Sequence, residues 1–116
     1  MNQLKLNQYP KAIACLEESL LQASLDIEIY SEQLSFMDAD IEAAIASDSS
    51  MKNDQMRKAK RLEMQQDQDY LDIKSRLKDA KLQRDRATIQ LNLLRNEFSV
   101  AKLEARTAIA SLEAVA

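Results

Sequence analysis

Apolar residues recur along this chain at alternating intervals of three and four, in two long runs. The first is Ile13, Leu16, Leu20, Ala23, Ile27, Tyr30, Leu34, Met37, Ile41 and Ala44. The second is Tyr70, Ile73, Leu77, Ala80, then Arg84, Ala87, Leu91, Leu94, Phe98, Ala101, Ala105, Ala108, Leu112 and Val115. Such spacing holds one stripe on one side of an α-helix and is the signature of a heptad seam. Between the runs lies Ser47-Asp48-Ser49-Ser50, the turn-like cluster of the chain interior. The pattern predicts an all-α fold, an antiparallel coiled-coil helical hairpin with helix 1 over about 10–47, a turn at 47–50 and helix 2 over about 51–115. The alternative is a three-helix spectrin-like bundle with a break near 84–86, at Arg84-Asp85-Arg86.

Boundary signals refine this. Pro10 suits the first turn of a helix, where its missing N–H would be unpaired anyway. Asn7 is the better chemical cap and Tyr9 the other candidate. Asp48, Ser49 and Ser50 are placed to cap a helix that begins near Met51. Residues 1–116 form one helical domain on the length prior, with 1–9 flexible or a short helical extension.

A tight turn would set Ala44 opposite Met56, Ile41 opposite Ala59, Ile27 opposite Ile73, Ala23 opposite Leu77 and Leu20 opposite Ala80. Large then faces small in most layers, which is how a dense core interdigitates. Tyr30 would meet Tyr70. Three layers are polar on one side: Met37 with Glu63, Leu34 with Gln66, and Leu16 with Arg84. Long polar side chains at such layers can reach the edge of a two-helix seam.

This register runs out near Leu94, so Phe98, Ala101, Ala105, Ala108, Leu112 and Val115 are expected to lack partners within the molecule. A second apolar stripe lies away from the seam. The expected partner interface is therefore Leu21, Leu25, Ile29 and Phe36 on helix 1 and Leu82, Ile89, Leu93, Phe98, Val100, Leu103 and Leu112 on helix 2. Large exposed apolar patches mark partner sites, and a two-helix hairpin is a poor core alone. A homodimer closing a four-helix bundle satisfies both demands, and another helical protein is the other expected partner.

Composition narrows the chemistry. The chain has 116 residues, 30% charged and 4% aromatic, with no Gly, Trp or His. Without histidine, Ser-His-Asp triads, the usual zinc sites and Glu-x-x-His di-iron sites are all excluded. Without glycine there is no phosphate-cradling loop of the Walker or dinucleotide type. Asp38, Asp40 and Glu42, and Asp67, Asp69 and Asp72, form acidic clusters, but on helical segments rather than in a calcium loop. No catalytic, cofactor or metal residue is assigned, and the chain is read as a non-enzyme.

Charge is divided along the chain. Residues 1–50 hold two basic and nine acidic side chains, and residues 51–86 hold eleven basic and seven acidic. An acidic helix followed by a basic one favours pairing between them. Arg57, Lys58, Lys60 and Arg61 make the densest basic cluster and are the candidate contacts for the alternative reading, a nucleic-acid-associated factor. Against it stand the overall charge of −3 and the lack of aromatic residues among the basic ones.

Cys15 is the single cysteine, so no intrachain disulfide is expected. Residues 1–9 lack the apolar core of a secretory leader, and no stretch matches a membrane span. A cytoplasmic location and no membrane partner are expected. Small secreted helical hairpins of the WXG type are similar in size and shape, but Ser47-Asp48-Ser49-Ser50 contains neither Trp nor Gly, and no family is assigned.

Overall fold

The computed structural model describes residues 4–115, and the part of the 1–9 expectation that concerns residues 1–3 lies outside them. The described residues are helical throughout, apart from short connections. A 3-10 turn, Leu6–Gln8, leads into α1 (Tyr9–Ala46), followed by α2 (Asp54–Met64) and α3 (Gln68–Val115). The fold is all-α.

The N-terminal stretch is thus helical rather than loose from Leu6 onward. Asn7 lies inside the 3-10 turn and is not the cap; the Lys5 N–H donates to Gln8 Oε1 at 2.8 Å there. Pro10 sits in the first turn of α1, as its chemistry favours.

The second helix expected over 51–115 is two helices. Nor is the break at 84–86, where α3 runs through without interruption. It falls at Gln65–Asp67. Here Gln65 N–H reaches back to Arg61 O at 3.0 Å, closing α2. Asp67 opens α3: its carbonyl accepts from Leu71 N–H at 3.0 Å and its Oδ2 from Asp69 N–H at 3.2 Å. The capping residue of α2 is also not where expected. Asn53 Oδ1 accepts from Met56 N–H at 2.8 Å, so α2 starts at Asp54. Asp48 instead folds its own turn, its Oδ1 accepting from Ser50 N–H at 3.0 Å and Ser50 O–H at 2.6 Å.

Contacts divide the chain into two compact units, one of Ala23–Leu82 and one of the residues up to Gln22 with those from Gln83 on. In the first, Ile41, Ile45 and Tyr70 form a buried cluster against which Leu34, Met37 and Met64 pack. The Tyr70 hydroxyl donates to Asp38 Oδ1 at 2.9 Å. Tyr70 therefore lies level with Asp38, about one heptad beyond the expected layer with Tyr30. The seam positions are kept and their partners change, because a slip of seven residues returns every side chain to the same helix face. The seam also drifts at the end of α1, where Ile45 is buried and Ala44 exposed. Met56 and Ala59, expected in the core, are exposed as well, and Met64 replaces Glu63 as the inward residue.

The second unit is built on Tyr9, Ala87 and Leu91, all buried. Tyr9 stacks on Phe98, with ring centroids 5.4 Å apart and planes inclined by 16°. Lys102 Nζ sits 4.4 Å from the Phe98 ring centroid, a cation–π contact. Arg95 Nη2 lies 3.9 Å from Glu17 Oε2.

Replacing Tyr70 with Phe removes one hydrogen bond to a carboxylate while keeping the ring, and should cost about 1–2 kcal/mol in chemical denaturation. Tyr70→Ala also opens a cavity beneath Ile41 and Ile45, and a loss of about 3 kcal/mol or more is expected. Equal losses for the two variants would show that the ring contributes nothing beyond its hydroxyl.

Candidate functional site

The helices leave rows of large apolar side chains in water. In the unit of Ala23–Leu82, Leu25, Ile29, Phe36 and Leu82 are exposed, Phe36 at 64%. In the other unit, Leu21, Ile89, Leu93, Val100, Leu103 and Leu112 are exposed, from 54% upward in every case, with Ile89 at 68%. Ten of the eleven expected interface residues are thus placed on the surface.

Phe98 is the exception, and its expected lack of an internal partner is corrected. It is half-buried between Tyr9 and Lys102, and Ala101 and Ala105 are half-buried beyond it. The heptad shift explains this: sliding the second run along by seven residues brings Tyr9 level with Phe98. A cavity of about 550 Å³ between Leu4, Leu6 and Tyr9 on one side and Val100, Ala101 and Ala105 on the other continues the same surface. The exposed overhang shrinks to the last turns, where Ala108, Leu112 and Val115 are exposed. Ile109 and Leu62 are exposed apolar residues outside the expected set and off both 3-4 runs.

The basic cluster of α2 is largely neutralised in place. Arg57 Nη1 is 2.7 Å from Asp54 Oδ1, and Lys60 Nζ is 3.6 Å from Glu63 Oε1, both one turn apart on the same helix. Arg61 grips Glu42 of α1 with two parallel bonds, Nε to Oε1 at 2.5 Å and Nη2 to Oε2 at 3.0 Å. Bidentate pairing of this kind is the strong geometry for a guanidinium and a carboxylate. It holds the Glu42 carboxyl below its ordinary range and the Arg61 guanidinium above its own. Lys58 is exposed.

The acidic clusters are similarly occupied. Asp38 accepts from Tyr70, Asp67 opens α3, and Asp72 accepts from Gln68 Nε2 at 2.6 Å. Burial first, and then the bond to Asp38, push the Tyr70 phenol up. The hydrogen bonds from Ser50 hold Asp48 low. Among the described residues, no group of three or more His, Cys, Asp or Glu is placed to hold a metal ion. Cys15 is an exposed free thiol. No helix among them is long and apolar enough to cross a membrane.

One basic row escaped sequence reading. Lys74, Lys78 and Lys81 line a groove of about 680 Å³ whose floor is Leu34, Leu71 and Leu77. Their spacing of four and three is the seam spacing displaced by one position, which is the signal that could have found them.

The Glu42–Arg61 pair carries a pH dependence. Glu42 has a folded pKa below its ordinary 4.5, so its stabilisation is fully present above that value and is lost as pH falls through the lowered one. Asp48 acts in the same sense from 3.8 downward. The thermal midpoint, followed by circular dichroism, should fall on acidification below about pH 4.5. Glu42→Gln should fall less over the same range, and an identical acid slope would show that the pair is not formed in solution.

Compared with family models, with curated proteins and with solved structures, the chain finds no match, so its function has to be argued from this surface.

Proposed function

We propose that this chain is a non-catalytic structural or adaptor protein, acting in the cytoplasm by helix-on-helix association. It is an antiparallel coiled-coil hairpin whose exposed rows close a four-helix bundle with a second copy or accept another helical protein. The observation that carries this reading is the outward row on α3, Ile89, Leu93, Val100 and Leu103, each more than half exposed. Burying a side chain of that size contributes about 1.5–3 kcal/mol, and isolated soluble helices do not leave such a row in water without a partner surface.

Within the unit of Ala23–Leu82, the opposed order of the Asp38–Tyr70 and Glu42–Arg61 contacts supports antiparallel pairing. The same holds in the other unit for Tyr9–Phe98 and Glu17–Arg95. The nucleic-acid alternative loses ground on one observation. Three of its four candidate residues, Arg57, Lys60 and Arg61, already have carboxylate partners. Phosphate contact would have to displace them.

Sedimentation equilibrium should give a dimer at micromolar concentration. Ile89→Asp combined with Leu93→Asp should weaken association by about tenfold or more with helix content unchanged. A wild-type chain that stays monomeric would remove self-association, and wild-type association by the double variant would remove this row from the interface.

A further inference from the structure

On the far side of α3 from its seam, Arg86, Ile89, Leu93, Asn96, Val100 and Leu103 follow one another at alternating intervals of three and four. All six are exposed. This is the heptad rule again, displaced about halfway round the helix. The inner seam is occupied by α1, through Tyr9 against Phe98 and Glu17 beside Arg95. The outer one is open. A seam of that period is filled by a second helix lying nearly parallel to the first.

The charges beside the open seam identify that helix. Glu97 and Glu104 stand on one flank, and Asp85 and Arg106 on the other. Among the described residues, Arg86, Glu104 and Arg106 form no ion pair. Asp85 is held by its neighbour, with Arg84 Nε 3.1 Å from Oδ1, and a carboxylate has a second oxygen that can accept as well.

We propose that α3 of a second copy closes the open seam, running antiparallel, with a two-fold axis between Leu94 and Arg95. This rests on the self-association reading and names its partner, orientation and register. Reversed about that axis, the six-residue row falls on its own positions. Ile89 meets Val100 of the second copy, Leu93 meets Asn96 and Leu103 meets Arg86, and symmetry makes each contact twice. The stem of Arg86 lies along Leu103 while its guanidinium reaches the flank, where Glu104 of the second copy stands. On the other flank Asp85 meets Arg106.

The alternatives fail on the same residues. A parallel pair sets Arg86 against Arg86 and brings no opposite charges together at the flanks. Sliding the antiparallel pair by one heptad sets Glu97 against Glu97 in one direction and Leu103 against Asp79 in the other. Exposed ion pairs stabilise weakly. They select the register, and burial of the four apolar side chains supplies the attraction. A different helical protein would have to carry this order of charges in reverse, and the chain carries it already.

The test uses two full-length chains with Cys15→Ser, one bearing Ile89→Cys and the other Val100→Cys, at a concentration where the wild type is dimeric. Cysteine keeps both positions apolar. Mixed and oxidised, they should form a disulfide-linked heterodimer about fivefold faster than either chain links to itself. Positions 89 and 100 face each other in this register, whereas two copies of 89 stand about 16 Å apart along the axis. Separately, Arg106→Glu should weaken self-association by about fivefold in sedimentation equilibrium, and adding Asp85→Lys to the same chain should restore it to within about twofold. Every substituted position is exposed, so helix content by circular dichroism should not change. Self-linking as fast as the mixture would overturn the antiparallel register, and so would association that Arg106→Glu leaves unchanged or Asp85→Lys fails to restore. A dimeric wild type with no linking in any combination would overturn this seam and leave self-association standing. A monomeric wild type would overturn both readings.

Discussion

Among the described residues none adopts positive φ, and the chain contains no glycine that could do so cheaply. Every change of direction is therefore built from ordinary negative-φ backbone and held by side-chain oxygens. Asp48 holds the turn after α1, Asn53 starts α2, and Asp67 starts α3. Turns made in this way are wide. They take up more residues than a glycine turn would, and the length they consume sets which residue of α3 lies beside which residue of α1. The register, the burial of Phe98 and the placement of the lysine groove all descend from that constraint.

The seam itself was legible because hydrophobic periodicity reports a helix face directly: the 3-4 positions from Ile13 to Ile41 and from Tyr70 to Ala105 are buried or half-buried. Register was not legible, for a physical reason. A heptad pattern is nearly unchanged by a slip of seven, so Tyr70 satisfies the pattern equally well beside Tyr30 or beside Met37, the neighbour of Asp38. Only the hydroxyl-to-carboxylate bond and the span of the connection separate the two. The break at Gln65–Asp67 leaves only a trace in the sequence. Glu63 and Gln66 at seam positions looked like polar layers with snorkelling side chains. The helix instead stops there, and Met64 turns inward onto Ile41, Ile45 and Tyr70. Glutamine is a good helix former, and no Pro or Gly marks the site.

Charge follows a similar logic at short range. The −7 of the first fifty residues suggested a broad pairing of helix 1 with the basic segment after it. Two of those basic residues, Arg57 and Lys60, are met locally, one turn away on α2, and Glu42 supplies the cross-helix contact there with Arg61. Local neutralisation is favoured because residues three apart on a helix are already close and lose little further freedom on pairing. What stays outward includes apolar rows on α1 and α3 and the row of lysines on α3.

The three tyrosines, in a chain without tryptophan, have a consequence for how the molecule can be watched. Tyr9 is buried against Phe98 in one unit, and Tyr70 is buried against Ile41 and Ile45 in the other. Each unit thus has its own buried ultraviolet chromophore, one stacked on an aromatic ring and one tied through its hydroxyl to a carboxylate. With Tyr30 replaced by phenylalanine, near-ultraviolet absorbance would come from two tyrosines in distinct settings. The loosening of either unit would then be followed optically, without a label, in the unmodified remainder of the chain.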